Sequence, residues 1–160
     1  MKNKYFSHIS IFVFCLLFSS GCSFISVSLV PSVEPLRETT VSGSGKDKIL
    51  IIDISGIISE ERKRGLAGLS DEPDMVARIK EELETAAKDK YLKAIILRIN
   101  SPGGTVTASD MIYHEIEQFK ENTHIKIIAC IMDLGASGGY YVAVSADKII
   151  AHPTTVTGSI

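Results

Sequence analysis

Four short apolar runs alternate with stretches that have helical spacing, and this alternation restricts the chain to few folds. The runs are rich in β-branched residues and lie near 49–58, 92–99, 124–132 and 148–151. Apolar residues recur at helical spacing between Asp74 and Ala87, and a capping box at Thr107–Asp110 predicts the start of another helix. Strands separated by helices predict an α/β fold of repeated βαβ units with a mainly parallel sheet.

The first of these runs is almost continuously apolar. Such a run is typical of a strand that is covered on both faces, so we expect layers on either side of the sheet at 49–58. A short helix is predicted from Ser137 to Ala146, between the third and fourth runs.

The composition is that of one globular domain. The chain has 160 residues, of which 45% are hydrophobic and 22% charged, and its formal net charge is -2. No run of Lys and Arg interleaved with aromatic residues occurs, so we expect no nucleic-acid partner. The four histidines and three cysteines are scattered without metal-ligand spacing, so neither a metal nor another cofactor is expected.

The segment 1–21 has the pattern of an export signal. Lysines precede an apolar run at Ile9–Phe18, and small residues then lead to Cys22. A cysteine after Ser-Ser-Gly resembles the bacterial lipoprotein signal, in which Cys22 is lipidated and becomes the first residue of the mature protein. An uncleaved anchor is an alternative, because Ile9–Val30 carries no charge. A simple cleaved signal is the third possibility.

This interpretation divides the chain into three parts. Residues 1–21 are the lipoprotein-type signal, 22–46 a membrane-proximal linker rich in Ser, Thr, Pro and Gly, and 47–160 the folded domain. We therefore expect membrane attachment through the N-terminus. The domain would lie on the extracytoplasmic side of the membrane, in the bacterial cell envelope.

Two glycine-containing segments follow consecutive strands and carry the candidate chemistry. Arg98–Gly104 reads Arg-Ile-Asn-Ser-Pro-Gly-Gly, and Ser137 lies among small residues where the next strand runs into a helix. Ligands of α/β sheets lie beyond the carboxyl ends of the strands, so the two segments can face one another. Ser137 is the candidate nucleophile, and amides of Gly138 and of Gly103 or Gly104 are candidate donors to an oxyanion.

Each segment also has a purely structural interpretation. Gly103 and Gly104 can form a type II turn with Pro102, and glycines around Ser137 can permit close helix packing. We interpret Ser101, a rival nucleophile that precedes Pro102, as structural.

The segment Gly135–Gly139 also fits the G-x-S-x-G pattern of α/β-hydrolases. That fold needs an acidic residue and then a histidine well downstream of the serine. His152 is the sole histidine after Ser137, and we interpret it as the end of a strand rather than as a base. This weakens the hydrolase interpretation.

Four segments taken in order resemble the signal peptide peptidase A (protease IV) family, with a match over about residues 47–160. The segments are Arg98–Gly104, Ala136–Tyr141, Ala146–Ile149 and Thr157–Ile160. The resemblance implies the Clp protease/crotonase-like fold and a membrane-associated serine endopeptidase that forms homo-oligomers. Its substrates would be signal-peptide remnants and other unfolded or membrane-released peptides. It also implies that Ser137 is the nucleophile and that Gly103, Gly104 and Gly138 form the oxyanion region.

The family's general base is a lysine, which the resemblance implies lies beyond Ile160. Lys148 belongs to the Ala-Asp-Lys-Ile signature and is not that residue. A serine hydroxyl is a weak nucleophile without an adjacent base, so we expect 47–160 to be the N-terminal part of a longer peptidase domain and inactive alone. The alternatives are another enzyme of the Clp/crotonase superfamily and a catalytically silent membrane-anchored scaffold.

Overall fold

A computed structural model describes residues 36–61, 63–64, 71–72 and 74–159. The predicted signal at 1–21 and the predicted lipidation site Cys22 lie outside these residues. The part of the predicted linker from 36 to 46 has no regular secondary structure and is exposed. The first strand begins at Lys48, close to the predicted start of the domain.

Strands and helices alternate along the described part of the chain. They are β1 Lys48–Ile58, β2 Lys63–Arg64, β3 Asp71–Glu72, α1 Met75–Ala86, β4 Leu92–Gly104, α2 Val106–Thr123, β5 Lys126–Ala136, α3 Gly138–Ala143, β6 Lys148–Ala151 and β7 Val156–Gly158. Among the described residues, no helix is sufficiently long and apolar to cross a membrane.

The main sheet has five strands, and every pairing in it is parallel. Its order is β1-β4-β5-β6, and β7 pairs with β5 beyond the end of β6. Helices α1, α2 and α3 connect successive strands of this sheet, whereas β2 and β3 form a separate antiparallel ribbon. The predicted α/β fold with a mainly parallel sheet is therefore confirmed.

The starts of the two longer helices are fixed by side-chain caps. Asp74 accepts a hydrogen bond from Ala77 N at 2.9 Å, and Thr105 Oγ1 accepts one from Ala108 N at 3.2 Å. Because Thr105 follows β4 directly, α2 begins at Val106. The predicted capping box at Thr107–Asp110 is therefore wrong, since its residues already lie inside the first turns of the helix.

The core lies between one face of the sheet and the helices. Alternate strand residues point into it and are buried, as in the triplets Ile52, Ile54, Ile58 of β1, Ile95, Leu97, Ile99 of β4 and Ile127, Ala129, Ile131 of β5. Helix α1 contributes residues at helical spacing, namely Val76, Ile79, Leu83 and Ala86. Burial of these apolar side chains is the main contribution to the stability of the domain.

The opposite face of the sheet has no layer on it within the described residues. Ile49 of β1 is 63% exposed and Ile150 of β6 is 47% exposed. Arg98 of β4 also points to this face, where its Nη2 lies 2.6 Å from Asp53 Oδ2 on β1. The prediction that the first strand is covered on both faces is therefore wrong for this part of the chain. An apolar run in the sequence shows that the side chains on both faces of a strand are apolar. It does not show that another layer packs on each face.

Candidate active site

Ser137 lies at the junction of β5 and α3 and has an unusual backbone conformation. Its φ is 50° and its ψ is -124°, which residues other than glycine rarely adopt. Its amide donates to Gly158 O of β7 at 2.9 Å, and its carbonyl accepts from Tyr141 N at 2.9 Å. These bonds hold a sharp bend from strand to helix. The side chain of Ser137 is half-buried and forms no hydrogen bond with any residue that the structure describes.

The segment that contains Gly103 is a bulge in β4. Ser55 of β1 pairs with Asn100, but Ile57 pairs with Gly103, so β4 has one more residue than β1 over this stretch. Gly103 has a φ of 95°, a conformation that favours glycine. The strand that the sequence predicted to end at Ile99 therefore continues through the bulge to Gly104.

The two glycine segments are in direct contact. A Cβ atom on Gly103 would lie 2.6 Å from Gly138 N, 2.9 Å from Ser137 Cβ and 3.0 Å from Ala136 O. A Cβ atom on Gly138 would overlap Ser109 Oγ and lie 3.4 Å from Gly104 N. The structure thus brings together Ser137, Gly138, Gly103 and Gly104, with no space for a side chain on either facing glycine.

The amides of the bulge point in different directions. Gly103 N donates to Ser101 Oγ at 3.0 Å, so this amide is used inside the bulge. Thr105 N donates to Ile58 O of β1 at 2.9 Å. Gly104 N lies 3.4 Å from the position that a Cβ atom on Gly138 would take. Gly138 N, the first amide of α3, has no acceptor within the helix. The amides of Gly104 and Gly138 thus lie on facing segments beside Ser137, whereas that of Gly103 already has an acceptor.

The other serines of the region have structural partners. Ser101 is fully buried, and its Oγ donates to Gly56 O at 2.6 Å. Ser109 Oγ donates to Thr105 O at 2.9 Å, and Ser145 Oγ donates to Val142 O at 2.6 Å. Each hydroxyl is used in a backbone hydrogen bond, whereas that of Ser137 is not.

His152 and Lys148 both follow α3 in the sequence. His152 is exposed, and its Nδ1 is 2.7 Å from Thr154 Oγ1 in the loop before β7. Lys148 is exposed at the start of β6, opposite Ile128 of β5. Neither side chain forms a hydrogen bond with Ser137.

The sequence did not indicate that β7 supports Ser137. Thr157 Oγ1 donates to Gly135 O at 2.8 Å, and Gly158 O accepts the amide of Ser137. The Thr-Gly-Ser-Ile motif marks this segment in the sequence, but its pairing beside β5 follows from the fold of the chain between them.

The Ala-Asp-Lys-Ile signature fixes the turn between α3 and β6. Asp147 Oδ2 accepts a hydrogen bond from Ile127 N at 2.8 Å, and Asp147 Oδ1 accepts one from Lys126 Nζ at 3.0 Å. The backbone bond from Ile127, followed by the bond from Lys126, lowers the pKa of Asp147. The signature therefore joins the end of α3 to the start of β5.

Two surface depressions of about 390 and 360 Å³ lie along the outer side of α2, and neither includes Ser137. Glu117 and Glu121 line both of them. In the parts of the chain that the structure covers, no group of three or more His, Cys, Asp or Glu residues is arranged to hold a metal ion.

Comparison with known proteins supports a relationship to peptidases. Residues 72–160 match the model of a family described as NfeD1b, N-terminal domain. The chain is 39% identical over 116 residues to the chloroplastic serine protease SPPA of Arabidopsis thaliana. This match covers 72% of this chain and 16% of that protein. It is 33% identical over 129 residues to the putative signal peptide peptidase SppA of Enterococcus faecium. That match covers 81% of this chain and 37% of the relative.

These relatives confirm the resemblance to the signal peptide peptidase A family. The matched region spans well under half of each relative.

Solved structures confirm the fold. A mutant of ClpP1 from Listeria monocytogenes is similar with a TM-score of 0.51 and 20% identity, over 67% of this chain and 53% of that one. A mutant of 1510-N, a membrane-bound stomatin-specific protease, is similar with a TM-score of 0.54 and 21% identity, over 71% and 48%. The predicted Clp protease-like α/β fold is present in this chain.

Proposed function

Since the chain belongs to the NfeD1b N-terminal domain family, we propose that it carries the nucleophile and the oxyanion-binding amides of a membrane-associated serine endopeptidase. The observation that carries this proposal is the contact of Gly103 with Gly138 beside Ser137. The names of the relatives, which are proteases and signal peptide peptidases, support the reaction class.

The geometry fits attack by Ser137 on a peptide carbonyl. Attack by Oγ on the carbonyl carbon gives a tetrahedral intermediate whose oxygen carries the negative charge. We propose that the amides of Gly104 and Gly138 donate to that oxygen, which the 3.4 Å between Gly104 N and a Cβ atom built on Gly138 supports. Loss of one donor from such a site typically raises the barrier by about 3 to 4 kcal/mol.

A base must remove the proton of Ser137, and the side chain has no hydrogen-bond partner in the described part of the chain. We assign this role to a lysine outside the described residues, which would make a Ser/Lys dyad. Burial favours the neutral form of a lysine and lets it accept the proton. The same lysine then protonates the leaving amine, and water hydrolyses the acyl-enzyme.

The proposed substrates are signal-peptide remnants and other unfolded peptides at a membrane. Lipidation of Cys22 would attach the protein to the membrane, and the linker at 22–46 would hold the domain on the extracytoplasmic side of the bacterial envelope. A homo-oligomer would surround such substrates with several copies of the site. The name of the Enterococcus faecium relative supports the substrate class.

The test is reaction of the full-length protein with a fluorophosphonate, which labels activated serines, followed by peptide mass spectrometry. We expect label on Ser137 and none in Ser137→Ala. The matched control is Ser145→Ala, because Ser145 is also a helix-end serine but is buried and bonded to Val142 O. Labelling of Ser137→Ala to the wild-type extent would refute the assignment.

A second readout separates the peptidase from a silent scaffold. The full-length protein should cleave a synthetic signal peptide at a rate that Ser137→Ala abolishes. A protein that binds the peptide but neither cleaves it nor reacts with the probe would be a scaffold.

A further inference from the structure

We infer that Ser101 is a positioning residue that holds the Gly104 amide in place for oxyanion binding. The inference rests on the proposed function, because it gives Ser101 a role in the same site. Ser101 itself is fully buried and does not contact the reacting atoms.

The hydroxyl of Ser101 connects β1 to the bulge of β4. It donates to Gly56 O at 2.6 Å and accepts from Gly103 N at 3.0 Å. Both bonds are made by the oxygen atom of a fully buried side chain, and the bond from Gly103 N is itself buried. Buried hydrogen bonds of this kind fix the orientation of the peptide groups that they join.

The peptide groups that Ser101 binds belong to glycines, whose backbone is not restricted by a side chain. Gly56 and Gly103 both have positive φ, at 79° and 95°, and Gly104 has no side chain to restrict it. Glycine is conformationally permissive, so this stretch would otherwise sample several orientations of the Gly104 amide. Ser101 restricts them by fixing the Pro102–Gly103 peptide group, which is adjacent to the peptide group that carries the Gly104 amide.

Ser101 also contacts the other half of the site. A Cβ atom on Gly139 would lie 2.8 Å from Ser101 O and 3.2 Å from Ser101 Cβ. The backbone of Ser101 therefore packs against the first turn of α3, one residue after Gly138. Through its side chain and its backbone, Ser101 sets both the direction of the Gly104 amide and the spacing between Gly104 and Gly138.

The test compares Ser101→Ala with Ser145→Ala in the full-length protein. Ser145 is equally buried and also donates one short bond to a backbone carbonyl, at the far end of α3 from Ser137. The probe is a peptidyl trifluoromethyl ketone, which adds to the serine hydroxyl and forms a hemiketal. ¹⁹F NMR then reports both the affinity of the adduct and the pKa of its hemiketal hydroxyl.

We expect Ser101→Ala to weaken the adduct by about tenfold and to raise the pKa of the hemiketal hydroxyl, because the oxyanion form loses an aligned donor. Ser145→Ala should leave that pKa at the wild-type value even if it lowers stability. Amide hydrogen exchange at Gly103 should also become about tenfold faster in Ser101→Ala alone.

Two outcomes overturn the inference in different ways. If the wild type forms the adduct and Ser101→Ala gives the same hemiketal pKa as Ser145→Ala, the proposed function stands and the positioning role is wrong. If the wild type forms no adduct, the proposed function fails, and the positioning role fails with it.

Discussion

Substitution of Gly103 by alanine should disrupt the site, because two separate costs arise at this residue. The first is conformational, since φ is 95° and an L side chain there costs about 1 to 2 kcal/mol. The second is steric, since the new Cβ would lie 2.6 Å from Gly138 N, whereas 3.4 Å is an ordinary contact. The two segments must separate by the difference, 3.4 - 2.6 = 0.8 Å.

These costs predict a loss of both stability and reactivity. Overpacking typically costs about 1 to 3 kcal/mol, so with the backbone term Gly103→Ala should lower the free energy of unfolding by about 2 to 5 kcal/mol. A displacement near 1 Å reduces catalysis by about 100-fold, and the rate of fluorophosphonate labelling at Ser137 should fall by a similar factor.

Gly56→Ala is the matched control. Gly56 also has positive φ, at 79°, but a Cβ atom there meets nothing within 4 Å. It should therefore show only the conformational cost of about 1 to 2 kcal/mol and retain most of its labelling rate. Urea unfolding gives the first quantity and probe kinetics the second. Equal effects of the two substitutions on stability and labelling would refute the close contact between the glycine segments.

Three further predictions follow from other parts of the molecule. Ser137→Gly should be more stable than Ser137→Ala by about 1 kcal/mol in urea unfolding, because only glycine adopts φ 50° without strain; equal stability would contradict this strain. Asp147→Ala should lower stability at neutral pH by about 1 kcal/mol through loss of the bond from Ile127 N. Since the pKa of Asp147 is lowered on folding, its contribution is present above about pH 4, the unfolded value, and is lost as the pH falls through the folded pKa. Unfolding curves of wild type and variant should therefore converge in acid, and a constant difference would contradict the bond from Ile127 N to the Asp147 carboxylate. Cys22→Ser should abolish incorporation of labelled fatty acid and release the protein from membranes, whereas retention on membranes would favour an uncleaved anchor.

The fold was predictable because its signals are local and repeated. Apolar runs and helical spacing marked β1, α1, β4, α2, β5 and β6, and their alternation predicted the parallel sheet. The start of α2 was not predictable in this way. Thr105 and Thr107 are both good caps, and the end of β4 decides between them.

The approach of the two glycine segments was predictable as far as strand order determines it. Glycine segments after neighbouring parallel strands had to lie at one sheet edge, and Gly103 does contact Gly138. The contribution of Ser101 was not visible in the sequence, because its partners Gly56 and Gly139 are distant along the chain. The support that Gly158 gives to Ser137 was hidden for the same reason.

The most direct test of the central claim is a crystal structure of the full-length protein after reaction with a phosphonate. We predict a covalent bond from Ser137 Oγ to phosphorus and one phosphonyl oxygen within about 2.7 to 3.1 Å of both Gly104 N and Gly138 N. A phosphonate on another residue, or an adduct at Ser137 whose oxygens approach neither amide, would contradict the account.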